Sequence, residues 1–424
     1  MQTTVLLDQQ PHPQGHVVHA LLRIEGDAPT DANRTPLNIS IVLDRSGSMD
    51  GPKLHAARDA AALLVQRLAP EDTVSVVAYD DNVQTVAEPT VGKATQLSNH
   101  IRAIESGGST NLSGGWLKGR DHVARNVSPK TANRVLLLTD GLANVGITDH
   151  DQLVAMCAHA NEHGIRTTTI GFGQDYDEVL LGRMAEAGGG NMHYIERVDQ
   201  AGAIFNEELA GLLSLAAQNL TLTIVPSATT SAVAVHHSYP RFETAEGLRL
   251  ELGDLYSREP KLVLLEFLVT SLAPDTINIA RIVLEGAVIG ADGSVKQQEI
   301  VIDLSTSFAD GPVSNAEVRR EMLLLEAAKV RQDVIREQQL GNYDVAYDKM
   351  LKMSEKLRAA GVNDVQVREE AADLELLSQQ MQPGVWGMAE TKYMFQRSYD
   401  SSRAMRSKTE HIARTKRKKP EGEA

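Results

Sequence analysis

Residues 38–64 read NISIVLDRSGSMDGPKLHAARDAAALL. An apolar run of strand type stops at Asp44, two serines follow in alternation at Ser46 and Ser48, and a helical pattern begins near residue 52. Polar groups at the mouth of a buried strand are costly unless they are paired. Three readings of the stretch are open at this point: a helix cap, since Ser and Asp favour caps, a nucleophile, or the start of a metal site.

Working outward, residues 38–215 alternate between two periods. Strand-like runs occur at NISIVLD, TVSVVAYD, RVLLLTD, RTTTIGFG and NMHYIE. Helical patterns fall at about 52–68, 95–105, 114–126, 151–163, 177–187 and 198–214. RVLLLTD is apolar at nearly every position, as expected of a strand covered by helices on both faces of a parallel sheet. The alternation predicts an α/β domain with a doubly wound, mostly parallel sheet.

Ligands of such sheets gather beyond the carboxyl ends of the strands. The first strand delivers Asp44, Ser46 and Ser48 there. The segment ESGGSTNLSGG delivers Ser109, Thr110 and Asn111 among glycines, and VLLLTDG delivers Thr139 and Asp140. Three segments thus send two carboxylates and several hydroxyls to one edge. An all-oxygen set favours a hard divalent cation over zinc or copper, with Mg2+ the natural candidate and Mn2+ or Ca2+ alternatives. Two acids about balance the ion, which leaves it electrophilic toward an anionic ligand.

The pattern Asp-x-Ser-x-Ser at Asp44, Ser46 and Ser48, the threonine Thr110 in a glycine-rich loop and Asp140 in TDG resemble the metal-ion-dependent adhesion site of von Willebrand factor A domains. The resemblance covers residues 37–216. The plan of a sandwich plus insert is similar to bacterial proteins of this family and to the core of inter-alpha-trypsin inhibitor heavy chains. The resemblance implies that Ser46, Ser48 and Thr110 ligate the ion, with Asp44 and Asp140 bound directly or through water. It also implies a vacant position that accepts a Glu or Asp from a protein partner. A scaffold or adaptor role follows, with assembly on an AAA+ ATPase of the MoxR or chelatase type as the alternative.

Enzymatic readings fare worse. Neither serine sits in Gly-x-Ser-x-Gly, the strained elbow of α/β-hydrolases, and nothing marks a third residue to orient His55. There is no Gly-x-x-x-x-Gly-Lys-Ser/Thr phosphate loop. Metal-assisted hydrolysis is the stronger rival, but no general base is evident beside the acids, so the expectation is a protein that is not an enzyme.

Residues 217–305 carry strand patterns separated by turn signals such as ADGS and SREP, without a helical window, which predicts a β-sandwich. GHVVHALLRIEGD (15–27) is an isolated strand ahead of the α/β domain, and its pairing with the later strands would make that domain an insert. From about 313 the pattern is helical. Val318, Met322 and Leu325 form one stripe, Tyr343, Ala346, Tyr347, Met350 and Leu357 a second, and Val367, Ala371, Leu374 and Met381 a third. LGNYDVAYDKML resembles part of a tetratricopeptide unit, although a plain helical hairpin is the simpler reading. The expected division is therefore 37–216 as the α/β domain, 1–36 with 217–310 as the sandwich, 311–382 as a helical region, and 383–424 as a partly disordered aromatic and basic tail.

Composition bounds the rest. The 424 residues suit two or three domains. A formal charge of −14 argues against bulk nucleic-acid or anionic-membrane binding, although residues 403–419 hold eight Lys/Arg and one acid, Glu410, where a nucleic-acid contact is conceivable. The single cysteine, Cys157, excludes an internal disulfide framework and reads as a small core residue. The first residues lack the basic start and apolar run of a signal peptide, and no run of about 18 apolar residues occurs, so the expected location is the cytoplasm, without a membrane partner.

Overall fold

The computed structural model describes residues 1–27, 34–92, 94–128, 130–257, 259–270, 276–290, 294–308 and 313–403. The chain opens with a hairpin, β1 (Gln2–His12) and β2 (Gly15–Glu25), joined by a two-residue turn. The segment read as an isolated strand therefore has an antiparallel partner just before it. Pro11 and the polar Asp8, Gln9 and Gln10 hide that partner's strand character.

The α/β elements follow. They are β3 (Leu37–Asp44), α1 (Pro52–Gln66), β4 (Thr73–Tyr79), β5 (Val83–Val91), α2 (Ala94–Arg102), α3 (Leu112–Ala124), β6 (Ala132–Thr139), α4 (His150–Glu162), β7 (Arg166–Phe172), α5 (Glu178–Ala187), β8 (Gly189–Ile195) and α6 (Ala201–Leu213). The sheet order is β5-β4-β3-β6-β7-β8. β3 runs parallel to β4 and β6, and β6 parallel to β7. β5 is an antiparallel edge strand that the sequence reading passed over. It carries Pro89, which edge strands tolerate because one row of N–H groups needs no ladder partner. Every residue of β3, β6 and β7 is buried, as a sheet covered on both faces requires. Helix α3 lies close to the sheet because Gly115 and Gly119 face it. A Cβ on Gly115 would come within 2.4 Å of the Tyr79 ring, and one on Gly119 within 2.4 Å of Val42.

Next come β9 (Leu215–Pro226), β10 (Thr230–Val235), β11 (Arg241–Thr244), β12 (Gly247–Tyr256), β13 (Lys261–Val269), β14 (Ile277–Ile289) and β15 (Val295–Thr306). Together with the opening hairpin they make two antiparallel sheets, β1-β2-β13-β10 and β11-β12-β9-β14-β15. β13 pairs along the whole of β2's partnered length, with Leu21 opposite Leu264. Alternation then sorts the side chains. Val18, Ala20, Leu22 and Ile24 of β2 and Val263, Leu265, Phe267 and Val269 of β13 meet Leu220, Leu222, Ile224, Ile282 and Leu284 of the facing sheet. Leu21, Leu262 and Leu264 point the other way, onto Val318 and Leu325.

The last part is helical: α7 (Ala316–Gln339), α8 (Tyr343–Ala359), α9 (Val365–Gln380) and α10 (Met388–Ser402). Asn315 and Asp364 cap α7 and α9 through their side-chain oxygens. Tyr347 is exposed rather than part of the apolar stripe of α8. Within the aromatic and basic segment from 383, residues 388–402 form α10, a helix the sequence reading did not give, which buries Met394 and Tyr399. Its buried face is largely polar: Lys392, 2% exposed, donates to Glu178 at 2.6 Å. The basic run beyond Arg403 lies outside the described residues. Cys157 is buried, and burial pushes its thiol up to about 12, the state of an unreactive core residue. Among the described residues no helix is long and apolar enough to cross a membrane.

Candidate metal centre

Strands β3 and β6 are neighbours, and their ends set the site. Asp44 is the last residue of β3 and Thr139 the last of β6. The Thr139 hydroxyl donates to Asp44 Oδ2 at 2.6 Å, and the Ser46 amide donates to Asp44 Oδ1 at 2.8 Å. Both carboxylate oxygens of Asp44 are thereby engaged behind the loop, and the residue is fully buried. Burial raises its pKa from the usual carboxylate range, Asp140 adding to the rise, while the Ser46 and Thr139 hydrogen bonds oppose it.

Backbone hydrogen bonds stitch three loops together. Gly47 N–H donates to the Gly108 carbonyl at 2.9 Å and Gly107 N–H to the Arg45 carbonyl at 2.7 Å. The Thr110 amide donates to Asn144 Oδ1 at 2.8 Å, and the amides of Asn144 and Val145 return to the Thr110 carbonyl, each at 3.2 Å. The loop after β3, the glycine-rich loop before α3 and the loop after β6 therefore hold one another in place.

In front of Asp44 the side-chain oxygens converge. Ser46 Oγ and Ser48 Oγ lie 3.1 Å apart, and Ser48 Oγ donates to Asp140 Oδ1 at 2.7 Å. Gly141 marks the remaining side. A Cβ there would sit 3.2 Å from Thr110 Oγ1 and 3.5 Å from Ser48 Oγ, in the space those hydroxyls face. The five residues singled out in the sequence, Asp44, Ser46, Ser48, Thr110 and Asp140, thus line one small region, with Asp44 behind and the other four around it. Asp140, Asp44, Ser46 and Thr110 are buried and Ser48 is exposed, so the region opens to solvent on the Ser48 side.

Three further residues, Lys53, Asn144 and Tyr79, belong to the candidate centre and were missed, and Thr139, already singled out at the strand end, joins them. Lys53, in the first turn of α1, donates to Asp140 Oδ2 at 2.6 Å and stands 3.8 Å from Asp175. Thr139 and Asn144 fix Asp44 and Thr110. Tyr79, fully buried, directs its hydroxyl at Asp44 Oδ2 at 3.5 Å and at the Leu138 carbonyl at 3.4 Å. Lys53 sits five residues after Ser48, one turn into the helix that the motif itself starts, and that position was the available signal. His55 pairs with Asp59 at 3.1 Å. Among the described residues no histidine is a hydrogen-bond partner of Ser46 or Ser48.

The donor set fits a hard divalent ion. Hydroxyls and a carboxylate are oxygen ligands of the kind Mg2+, Mn2+ and Ca2+ take, and two carboxylates against one lysine give the protein groups of the centre a net negative charge.

Comparison with known proteins bears on the α/β domain and on the fold. Residues 38–207 match the family model described as von Willebrand factor type A domain. Uncharacterized protein sll0103 of Synechocystis sp. is 28% identical over 336 residues, which is 75% of this chain and 78% of that protein. Inter-alpha-trypsin inhibitor heavy chain H1 of Sus scrofa is 28% identical over 159 residues, 35% of this chain but only 18% of the heavy chain. Among solved structures, von Willebrand factor type A from Catenulispora acidiphila superposes with a TM-score of 0.72 at 15% identity, covering 96% of this chain and 97% of its own. That likeness is one of fold.

Proposed function

We propose, from the premise that this chain carries a von Willebrand factor type A domain over residues 38–207, that it is a metal-dependent interaction protein whose centre holds Mg2+ and accepts a carboxylate from a protein partner. One observation carries the reading: three separately encoded loops bring Ser46, Ser48, Thr110 and Asp140 around one point, with Ser48 Oγ within 3.1 Å of Ser46 Oγ and 2.7 Å of Asp140. Ser46, Ser48, Thr110 and Asp140 would hold the ion, and Asp44, whose oxygens already serve Ser46 and Thr139, would act on it through water. A bound Mg2+ supplies an electrophilic position for an incoming Glu or Asp oxygen. The exposed Ser48 side leaves the approach open.

Lys53 sets the charge of the centre. Its ammonium offsets one of the two carboxylates, so it competes with the divalent ion for Asp140. A Lys53→Met chain is expected to bind Mg2+ or Mn2+ about tenfold more tightly, or about 1.4 kcal/mol. Titration calorimetry on the two chains measures it, and an unchanged or weaker affinity would remove Lys53 from the electrostatics of the site.

The interaction reading is tested by capture on immobilised chain from an extract of the native cells, with Mg2+, with chelator, and with Thr110→Ala. Partners retained only by the unaltered chain with Mg2+ support it. An AAA+ ATPase among them would identify the co-subunit form of the role. Retention indifferent to both metal and substitution would overturn it.

A further inference from the structure

A second cluster of ligating side chains stands on the antiparallel sheet β1-β2-β13-β10. Glu266 lies on β13, directly opposite His19 of β2 in the register. On its other side β10 pairs with β13 through Ala234, and His236 follows that strand, its amide donating to the Leu264 carbonyl at 3.0 Å. The three side chains share the sheet face opposite the sandwich core.

Their geometry is convergent. His19 Nε2 is 3.2 Å and His236 Nε2 2.9 Å from the same oxygen, Glu266 Oε2. All three ligand atoms lie within 4.8 Å of one another. His19 is almost wholly buried, and among the described residues its other nitrogen, Nδ1, has no hydrogen-bond partner, so the ring's hydrogen bonding there is to the shared oxygen. Glu266 is 37% and His236 23% exposed, which leaves one side of the cluster open to water.

We infer that His19, His236 and Glu266 form a second metal site, one for a borderline transition ion such as zinc. Two imidazole nitrogens and one carboxylate oxygen are a three-ligand zinc set, completed by water. Ligands about 2.0 Å from a tetrahedral ion stand roughly 3.3 Å apart, so the observed 2.9 and 3.2 Å would need only a small opening. Metal ligation takes the neutral imidazole. The nitrogen ligands distinguish this cluster from the all-oxygen centre of the α/β domain, and the inference does not depend on the function proposed there.

The alternative is one carboxylate oxygen accepting two N–H bonds and nothing more. The test uses the full chain in millimolar Mg2+, which keeps the oxygen centre supplied. Zinc is titrated against a chromophoric chelator, and Co2+ serves as a spectroscopic probe, since four-coordinate cobalt absorbs visibly far more strongly than six-coordinate cobalt. The expected result is one zinc equivalent with the intense cobalt band. Glu266→Gln, which keeps the side chain's shape, should weaken it about tenfold or more, and His236→Ala should abolish the band, with circular dichroism unchanged in both. An absence of zinc binding would overturn the assignment, as would full binding in both variants. So would loss of the zinc only on replacing Asp140, or only on replacing the exposed pair His159 and His163 of α4.

Discussion

Replacing Asp140 by asparagine is expected to weaken Mg2+ or Mn2+ binding by about a hundredfold or more, roughly 3 kcal/mol, while leaving the fold in place. Asp140 is the acid whose Oδ1 meets the Ser48 hydroxyl and whose Oδ2 meets Lys53. Its neutralisation removes an anionic ligand and also leaves the Lys53 ammonium, with only Asp175 at 3.8 Å to offset it, beside the hydroxyls, so an incoming cation meets a like charge. β6 is complete one residue earlier, at Thr139, and buried throughout, so the sheet does not rely on the carboxylate. Thr110→Ala removes a neutral donor and is expected to cost less, about tenfold. Calorimetry with circular dichroism as the fold control measures both. Unaltered stoichiometric binding in the two chains would move the ion elsewhere.

The second large effect is on stability. Arg331 of α7, 1% exposed, donates to Glu370 at 2.7 Å and to Asp373 at 2.6 Å, both on α9. α10 joins the same network: Arg397 donates to Glu370 at 2.6 Å and the Tyr393 hydroxyl to Asp373 at 3.0 Å. Arg331→Met leaves two acids in a buried setting with one cation. Breaking a buried pair in this way typically costs about 3–5 kcal/mol. The readout is thermal unfolding followed by Trp386, which packs in this helical core, in a Trp116→Phe background. A shift equivalent to under about 1 kcal/mol would mean the network behaves like a surface one. The effect also depends on pH. Burial would raise Glu370, but Arg331 and Arg397 outweigh it and hold the carboxyl down at about 2. A depressed carboxyl stabilises the fold above its unfolded value, near 4.5, and that contribution is lost as pH falls toward 2. The gap between the two chains should therefore narrow across that window.

The α/β sheet was legible because its central strands hold apolar runs, IVL in β3 and VLLL in β6, and end abruptly in acids and hydroxyls. Period and punctuation were therefore both in the chain. The five residues of the candidate centre stood out for a related reason, each standing at a strand end or in a loop of small residues and glycines. Lys53 was not, because a lysine in a first helical turn looks like any solvated residue until its partner's position is known. β5 was hidden by Pro89 and by a half-exposed edge position, and β1 by polar residues that only a neighbouring strand explains. α10 was misread for a further reason. Apolar periodicity finds helices that bury hydrocarbon, and this one buries Lys392, Ser398 and Asp400 beside Met394 and Tyr399, with Lys392 paired to Glu178 and Ser398 bonded to the Ala328 carbonyl, contacts that no single-segment pattern reveals.

The pairing of β2 with β13 has a consequence for how the chain is made. On the ribosome the β1-β2 hairpin emerges before the α/β segment, yet the strand that completes its free edge follows only after roughly 240 residues. At about 5–20 residues per second that is a wait on the order of 10–50 s, ample time for the intervening α/β segment to form. During it the hairpin presents an unpaired row of backbone groups, the kind of edge that pairs with other chains. A nascent chain stalled before Lys261 should therefore hold an ordered α/β segment and a first hairpin open to misassociation, and lengthening the time spent there should lower the yield of native protein.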